Sequence, residues 1–327
     1  MGEAVAIGID VGGTKLVAAV LDAEGRVLER LRRQTPAGDA ERLVDDLHGL
    51  IGDLVADRGG GLGGGLGGEL PIGVGIAGLV TPTGTVRYGP NIDVHDLDLA
   101  RLLAERTAQP ALVLNDASAA ALGEQRVGAA RGHRDVGMLT LGTGVGGGVV
   151  VGGRLLTGAN GFGGELGHLL VDDGGRPCPC GNHGCIEAYA SGTAIGRRAR
   201  QRLADEPVDS LLRDVQDVTG RDVTLAARDG DELAREVLLE AGEWLGVALA
   251  GMVNALDPEV VLLGGGAAAQ TATWMLPAAR DAMAARIIGH AWRSPPPVEL
   301  AALGDDAGMV GAGLAAADLD VGEEDAQ

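Results

Sequence analysis

Aromatic residues are nearly absent: one Phe, two Tyr and three Trp make up 2% of 327 residues. So few rings exclude the stacking platforms that hold single-stranded nucleic acid. Positive charge is also scarce. Lys and Arg number 26 against 46 Asp and Glu, a formal net charge of −20. This speaks against nucleic acid and anionic membranes as partners, because both need a basic face; the acidity itself is read as a solubility trait. Cysteine is limited to three residues, Cys178, Cys180 and Cys185. An odd number packed into one short segment is no disulfide framework and fits a reduced, cytoplasmic protein with a metal or reactive-thiol site. Uncharged apolar runs of spanning length are missing. Residues 260–279 come nearest, but they contain Gly264-Gly265-Gly266, Gln270, two threonines and Pro277. The opening Met1-Gly2-Glu3-Ala4 lacks the basic region of a secretory signal.

What is abundant is glycine. Fifty-seven glycines without a collagen period imply many tight turns or close backbone approaches. The length predicts two domains. An apolar run at 5–9 turns through Asp10-Val11-Gly12-Gly13-Thr14-Lys15, returns at 16–21, and turns again at 22–25 into an extended segment at 26–31. Leu43, Leu47, Leu50 and Leu54 recur at helical spacing. Residues 59–68 are almost all glycine and are read as a surface linker. Strands follow at 72–76 and 111–114, and a helix at 117–126. The opening pattern then recurs: a strand at 136–141, a turn from Gly142 to Gly148, a return at 149–151 and a further turn into 154–156. Two hairpins with glycine–threonine tips imply an internal duplication. Residues 231–256 read as one long helix with Leu233, Val237, Leu238, Ala241, Leu245, Ala248 and Leu249 on one face, ended by Asp257-Pro258. A buried-type strand at 259–263 runs into Gly264-Gly265-Gly266 and a further helix, which the proline-rich 293–298 breaks.

Two matches to the dinucleotide pattern G-x-G-x-x-G, at Gly73–Gly78 and at Gly142, Gly144 and Gly147, are set aside. Neither is followed by the helix whose N-terminus would face a pyrophosphate. A Walker P-loop is absent. The turns Gly12-Gly13-Thr14 and Gly142-Thr143-Gly144 still suit phosphate, because glycine leaves backbone N–H groups uncovered and threonine adds a hydroxyl. Asp10 could hold Mg²⁺ directly or through water. Ordinary hairpin turns are the alternative for each; with the third cluster at Gly264–Gly266, nucleotide binding is the better reading. Asn115-Asp116 closes a strand and opens a helix, so Asp116 is a helix cap, a general base, or both. The most specific signal is Gly164-Glu165-Leu166-Gly167-His168 followed by Cys178-Pro179-Cys180-Gly181-Asn182-His183-Gly184-Cys185-Ile186-Glu187. One His and three Cys complete a tetrahedral zinc set, with four protein ligands and hence a structural metal. His183 is a rival ligand, and free thiols or a Cys178–Cys180 redox pair are the alternatives. Glu165 and Glu187, held beside such a loop, could accept hydrogen bonds from sugar hydroxyls.

These segments, together with Pro90-Asn91-Ile92-Asp93 and Leu114-Asn115-Asp116-Ala117, run in order through nearly the whole chain and resemble the ROK family (repressor, open reading frame, kinase). The resemblance is strongest to its actinobacterial-type ATP-dependent glucokinases. It implies an α/β, actin-like (sugar kinase/Hsp70/actin) fold: two α/β domains with a cleft between them. A small domain would span 1–116, completed by a helix at about 304–318. A large one at 117–303 would carry the zinc loop and the usual dimer contact, and 319–327 would be an acidic, frayed tail. The resemblance assigns Asp116 as the base that takes the proton from the sugar 6-hydroxyl. It assigns Asn91, Asn115, Asp116, Glu165, His168 and Glu187 to the sugar, and His168, Cys178, Cys180 and Cys185 to Zn²⁺. Asp10, Gly12, Gly13, Thr14 and Lys15 would face the phosphates of ATP and Mg²⁺, Gly142, Thr143 and Gly144 would hold phosphate, and Gly265 and Gly266 would lie near the adenosine. The implied product is glucose 6-phosphate, made in the cytoplasm by a homodimer or homotetramer. Another hexose (fructose, mannose or an N-acetylhexosamine) and polyphosphate as donor are the alternatives. A repressor is disfavoured because Asp10 lies too near the start for a preceding helix-turn-helix and the charge is −20. A catalytically dead sensor is disfavoured by the presence of both Asp10 and Asp116. The chain departs from the family pattern in the long glycine segment 59–68 and in Val94, where relatives often carry an aromatic residue.

Overall fold

The apolar run that opens the chain becomes β1 (Ala4–Val11), the central strand of a sheet, and its side chains from Ala6 to Ile9 are buried. It pairs antiparallel with β2 (Lys15–Asp22), which pairs antiparallel with β3 (Val27–Gln34). After α1 (Ala40–Ala56), β4 (Ile72–Ile76) returns parallel to β1 on its other side. A small meander of β5 (Leu79–Val80), β6 (Thr85–Gly89) and β7 (Val94–Asp98) follows, then α2 (Leu99–Thr107), and β8 (Ala111–Asn115) completes the sheet beside β4. The order is β3-β2-β1-β4-β8. The computed structural model describes residues 2–36, 38–56 and 70–324; the glycine-rich segment 59–68 lies outside them.

From α3 (Asp116–Val127) the chain enters a second series: β9 (Val136–Leu141), β10 (Val145–Val151), β11 (Arg154–Leu155), α4 (Glu187–Ala190), α5 (Gly192–Asp205), α6 (Gly220–Arg228), α7 (Glu232–Leu256), β12 (Val260–Gly264), α8 (Gly266–Ala284), β13 (Val298–Leu300) and α9 (Ala307–Glu324). The second sheet is ordered β11-β10-β9-β12-β13, with β9, β12 and β13 parallel. A hairpin-derived edge joined to two parallel strands therefore occurs twice, which is the architecture the two glycine–threonine hairpins predict.

The chain divides into two compact units, one of Met1–Gly132, Gly148–Gly164 and Asp305–Gln327, the other of His133–Gly147 and Glu165–Gly304. The sequence boundary at 116/117 thus falls short of the contact boundary at 132/133, because α3 packs tightly on α9: a Cβ on Gly123 would lie 2.7 Å from the Ala307 carbonyl oxygen. The expected tail at 319–327 is helical as far as Glu324. It contains no proline, and Asp318 just before it is paired to Arg126 on α3 at 2.5 Å. The helix after Gly264–Gly266 ends at Ala284, well before the prolines at 295–297.

In the first unit the core is aliphatic: Ile7, Ile9, Leu43, Leu47, Leu50, Leu54, Ile72 and Ile76 are fully buried. α9 packs across β1 and β4 at positions where side chains are missing. A Cβ on Gly73 would overlap the Ala312 carbonyl oxygen and lie 2.7 Å from the Gly313 nitrogen. Gly73→Ala is expected to destabilise the protein by roughly 1–3 kcal/mol or more, since backbone cannot yield as a side chain can. Thermal unfolding checks this, and an unchanged Tm would contradict the packing described.

Candidate active site

In the first unit Asp10 stands near the end of β1, in register with Val17 on β2 and Gly75 on β4. The hairpin tip is closed by the Gly12 N–H donating to the Lys15 carbonyl at 3.0 Å, and the Thr35 hydroxyl donates to the Gly12 carbonyl at 2.6 Å. Gly13 lies against Asn91: a Cβ there would be 2.9 Å from the Asn91 carbonyl oxygen. Both aspartates border the start of α9, where a Cβ on Gly308 would be 3.5 Å from Asp10 Oδ1 and 3.3 Å from the Asp116 carbonyl oxygen. The structure therefore brings Asp10, Gly12, Gly13, Lys15, Asn91 and Asp116 into one unit. Asn115 is tied there too, but by structural bonds.

The sequence leaves Asp116 open as cap or base. The structure gives the cap to Asn115. Asn115 is the cap of α3: its Oδ1 accepts from the Ser118 N–H at 3.0 Å, and its Nδ2 donates to the Gly78 carbonyl at 3.1 Å. Asp116 is the first helical residue, with Oδ1 accepting from its neighbour's Ala117 N–H at 2.8 Å. Burial pushes the Asp116 carboxyl above the ordinary carboxylate range, with that N–H opposing. Asp10 is pushed up to about 7, first by burial and then by the charge of Asp116; Asp305 and Asp306 add to this, while Lys15, whose Nζ is 3.7 Å from Asp305, opposes it.

The Asp10 shift has a definite sign. Its folded pKa lies above the ordinary 3.8, so the folded state holds the proton more tightly than the unfolded chain. The protonated form carries no penalty at low pH. Stability is then lost as pH rises from about 4 to about 7, by up to a few kcal/mol. Asp10→Asn, which resembles the neutral acid, is expected to raise the Tm of the ligand-free protein at pH 8 and to leave it unchanged near pH 4. Parallel Tm profiles for the two proteins across that range would contradict the assignment.

In the second unit the cysteine segment folds back on itself. Backbone bridges join Leu170 to Cys185 and Pro177 to His183, and the Cys178 N–H donates to the Asn182 carbonyl at 2.8 Å. His168 comes from a short 3-10 turn, Leu166–His168. One ligand atom each from His168, Cys178, Cys180 and Cys185 lies within 4.8 Å of the others. Cys178 Sγ is 3.8 Å from His168 Nδ1, and Cys180 Sγ is 3.8 Å from Cys185 Sγ. Those separations are close to the edge of ~3.7 Å that a zinc–thiolate tetrahedron requires. Burial, and hydrogen bonding among the three thiols, push the Cys178 thiol up to about 12; a divalent cation would offset both. Among the described residues His183 is not part of the cluster, because its segment is the exposed tip of the bridge. The free-thiol and redox-pair alternatives leave the convergence of His168 on the three sulfurs without an explanation.

The loop is anchored to the helices behind it. The Tyr189 hydroxyl donates to Asp172 Oδ2 at 2.6 Å and accepts from the Arg176 N–H at 2.8 Å. Arg176 stacks over that ring and pairs with Glu240 of α7. Glu165 Oε2 is 4.0 Å from His168 Nε2, the nitrogen turned away from Cys178. Glu187, the first residue of α4, has Oε1 at 3.7 Å from Cys178 Sγ. Glu165, His168 and Glu187 thus meet at the candidate metal cluster.

The second glycine turn lies in the same unit. Gly142 N–H donates to the Gly144 carbonyl at 3.0 Å, closing this tip one residue tighter than the Gly12–Lys15 bond closes the first. The pairing of Gly264 with Thr140 brings the third glycine cluster beside it. Gly265 has a positive φ of 83°, and a Cβ on it would overlap the Leu141 carbonyl oxygen, so only glycine lets α8 start here. A cavity of about 930 Å³ opens at this point, lined by Gly142, Thr143 and Gly266 and by the first turns of α5, α6 and α8. It also holds Arg200, Arg221 and Arg228 and no acidic residue, a positively charged recess in a strongly acidic protein. No local sequence pattern marks these arginines as part of a site. They come from two helices, and only tertiary packing brings them to the glycine turn.

A model of the ROK family matches residues 6–318. The chain is 36% identical over 314 residues to the glucokinase of Streptomyces coelicolor, covering 94% of this chain and 95% of that one. Among solved structures, a ROK family glucokinase from Streptomyces griseus in complex with glucose and AMPPNP superposes with a TM-score of 0.78 at 37% identity, over 97% of this chain and 99% of that one. A ROK hexokinase from Thermus thermophilus gives a TM-score of 0.79 at 38% identity, over 98% and 100%.

Proposed function

The chain belongs to the ROK family, and from that premise we propose that it is an ATP-dependent glucokinase, transferring the γ-phosphoryl group of ATP to the 6-hydroxyl of D-glucose. The fold is the actin-like sugar kinase fold of the ROK glucokinase and ROK hexokinase it superposes on. The observation that carries the reading to residues is the division of labour at the start of α3, where Asn115 caps the helix and leaves the Asp116 carboxylate for chemistry.

Phosphoryl transfer asks little covalent work of a protein; positioning and charge neutralisation supply most of the rate. Asp116 takes the proton of the glucose 6-hydroxyl as that oxygen attacks the γ-phosphorus and ADP leaves. Its raised pKa makes the ionised carboxylate a stronger base. Asn91, Glu165, His168 and Glu187 hold the remaining hydroxyls, and Asn115 adds what its bonds to Ser118 and Gly78 leave free. Gly12, Gly13, Thr14 and Lys15, together with Gly142, Thr143 and Gly144, are assigned to the phosphates, where uncovered backbone N–H groups can donate. The cavity at Gly265 and Gly266 receives the adenosine, with Arg200, Arg221 and Arg228 as cationic and stacking partners.

Asp10, crowded by Asp116, Asp305 and Asp306, is the residue that fits Mg²⁺, which neutralises phosphate charge when bound. His168, Cys178, Cys180 and Cys185 fit Zn²⁺ as a structural ion, since all four positions are filled by protein. Three reduced cysteines suit a cytoplasmic enzyme, and the family reading carries assembly as a homodimer or homotetramer. Among the described residues no helix is long and apolar enough to cross a membrane.

The test is ADP release with Mg·ATP and glucose, fructose, mannose, N-acetylglucosamine or N-acetylmannosamine, against a control without sugar. Glucose is expected to lead in kcat/KM by roughly tenfold or more, the scale of one unmet buried hydroxyl contact. A different sugar in the lead would overturn the assignment of glucose.

A further inference from the structure

Glu187 is placed above among the sugar-binding residues, but its carboxylate has another partner. Oε2 accepts from the Val145 N–H at 2.9 Å, at the exit of the Gly142-Thr143-Gly144 turn. The fit is tight, since a Cβ on Gly144 would lie 2.5 Å from that oxygen. The next residues of the chain hold the same turn. Gly192 N–H donates to the Gly142 carbonyl at 2.8 Å, and the Thr193 hydroxyl donates to the Thr143 carbonyl at 2.8 Å. On the other side, Gly167 abuts Val145 so closely that a Cβ would overlap the Val145 carbonyl oxygen.

A turn with two glycines in three residues has little conformational preference of its own. Its shape must be imposed, and here it is imposed by the segment that begins where the last zinc ligand, Cys185, ends. A carboxylate is also a poor direct ligand for phosphate, so its placement on the turn's flanking N–H is explained by orientation rather than by contact with the nucleotide. We propose that Glu187 is a positioning residue for the phosphoryl donor: through the Val145 N–H it fixes the Gly142–Val145 turn, so that the metal-bound loop shapes the cradle for the nucleotide's phosphates. This rests on the kinase reading above. It adds that one carboxylate serves the sugar end and the nucleotide end of the same unit.

The two roles separate when nucleotide binding is measured without sugar. Mg·AMPPNP is titrated calorimetrically into the zinc-loaded protein, with zinc content and Tm recorded for each variant. Glu187→Ala, which leaves the Val145 N–H without its acceptor, is expected to weaken binding roughly fivefold to tenfold. Glu187→Gln keeps an oxygen for that N–H and is expected to stay within about twofold of the parent protein, although the KM for glucose rises in both variants. Gly144→Ala, which pushes the carboxylate away, is expected to weaken binding in the parent and to cost less in the Glu187→Ala background, as coupled neighbours do.

A residue that only touches sugar would leave AMPPNP binding unchanged in all of them, and that result overturns the proposal. So does equal loss in Glu187→Gln and Glu187→Ala. If Glu187→Ala loses its zinc, Gly144→Ala at full zinc content carries the test, and unchanged binding there overturns the proposal. Failure of the parent protein to bind Mg·AMPPNP would instead overturn the kinase reading itself.

Discussion

Asp116→Asn is expected to lower kcat for glucose phosphorylation by about 10²–10⁴-fold, the usual contribution of a general base, with the KM for glucose changed only a few-fold. The substitution is nearly isosteric. The amide oxygen still accepts from the Ala117 N–H, which the carboxylate holds at 2.8 Å, and α3 keeps its cap because Asn115 provides it. Folding and sugar contacts are therefore retained, and the lost element is proton acceptance. A purely structural Asp116 predicts the opposite pattern, a fall in Tm with turnover preserved. Retention of more than about a tenth of the parent kcat in a folded variant would refute the base assignment.

Removal of zinc has the second large effect. The four ligand atoms are drawn from a loop whose regular structure is one short 3-10 turn and isolated bridges; the Tyr189 and Arg176 anchors hold its base, and the tip that carries Cys178 and Cys180 depends most on the ion. Structural metal binding of this kind is coupled to folding. Chelation is expected to lower Tm by roughly 10 °C or more, the shift that a loss of a few kcal/mol gives in a domain of this size. Glucose phosphorylation falls with it, because Glu165, His168 and Glu187 lose their frame, and zinc alone among added ions is expected to restore it. Unchanged melting and full activity in protein verified to hold no zinc would contradict the structural role. The loss is also expected to reach the nucleotide, through the Glu187–Val145 bond.

What could be read in the sequence was whatever lies close together along it. The candidate metal ligands Cys178, Cys180 and Cys185 fall within one loop, and both glycine turns are hairpin tips flanked by apolar strands, so the candidate site and the fold are legible in the same residues. The choice between Asn115 and Asp116 as cap was not legible. Both residue types cap well, and helix boundaries shift by a residue; only the Asn115–Ser118 bond decides it. The meander β5–β7 was missed, since β5 has two residues and β7, Val-His-Asp-Leu-Asp, is mostly polar. The Glu187–Val145 bond and the arginine-lined cavity depend on residues far apart in sequence, and no local pattern announces them. Helical continuation to Glu324 was hidden by acidic composition, which reads as a frayed end.

The central claim is phosphoryl transfer from ATP to the glucose 6-hydroxyl, and product analysis tests it most directly. Zinc-loaded protein is incubated with Mg·ATP and glucose, and glucose 6-phosphate and ADP are quantified together. The account predicts equimolar formation of the two, dependent on glucose and nearly abolished by Asp116→Asn. ADP formed without glucose 6-phosphate, or neither product from protein shown to hold its zinc, would contradict it.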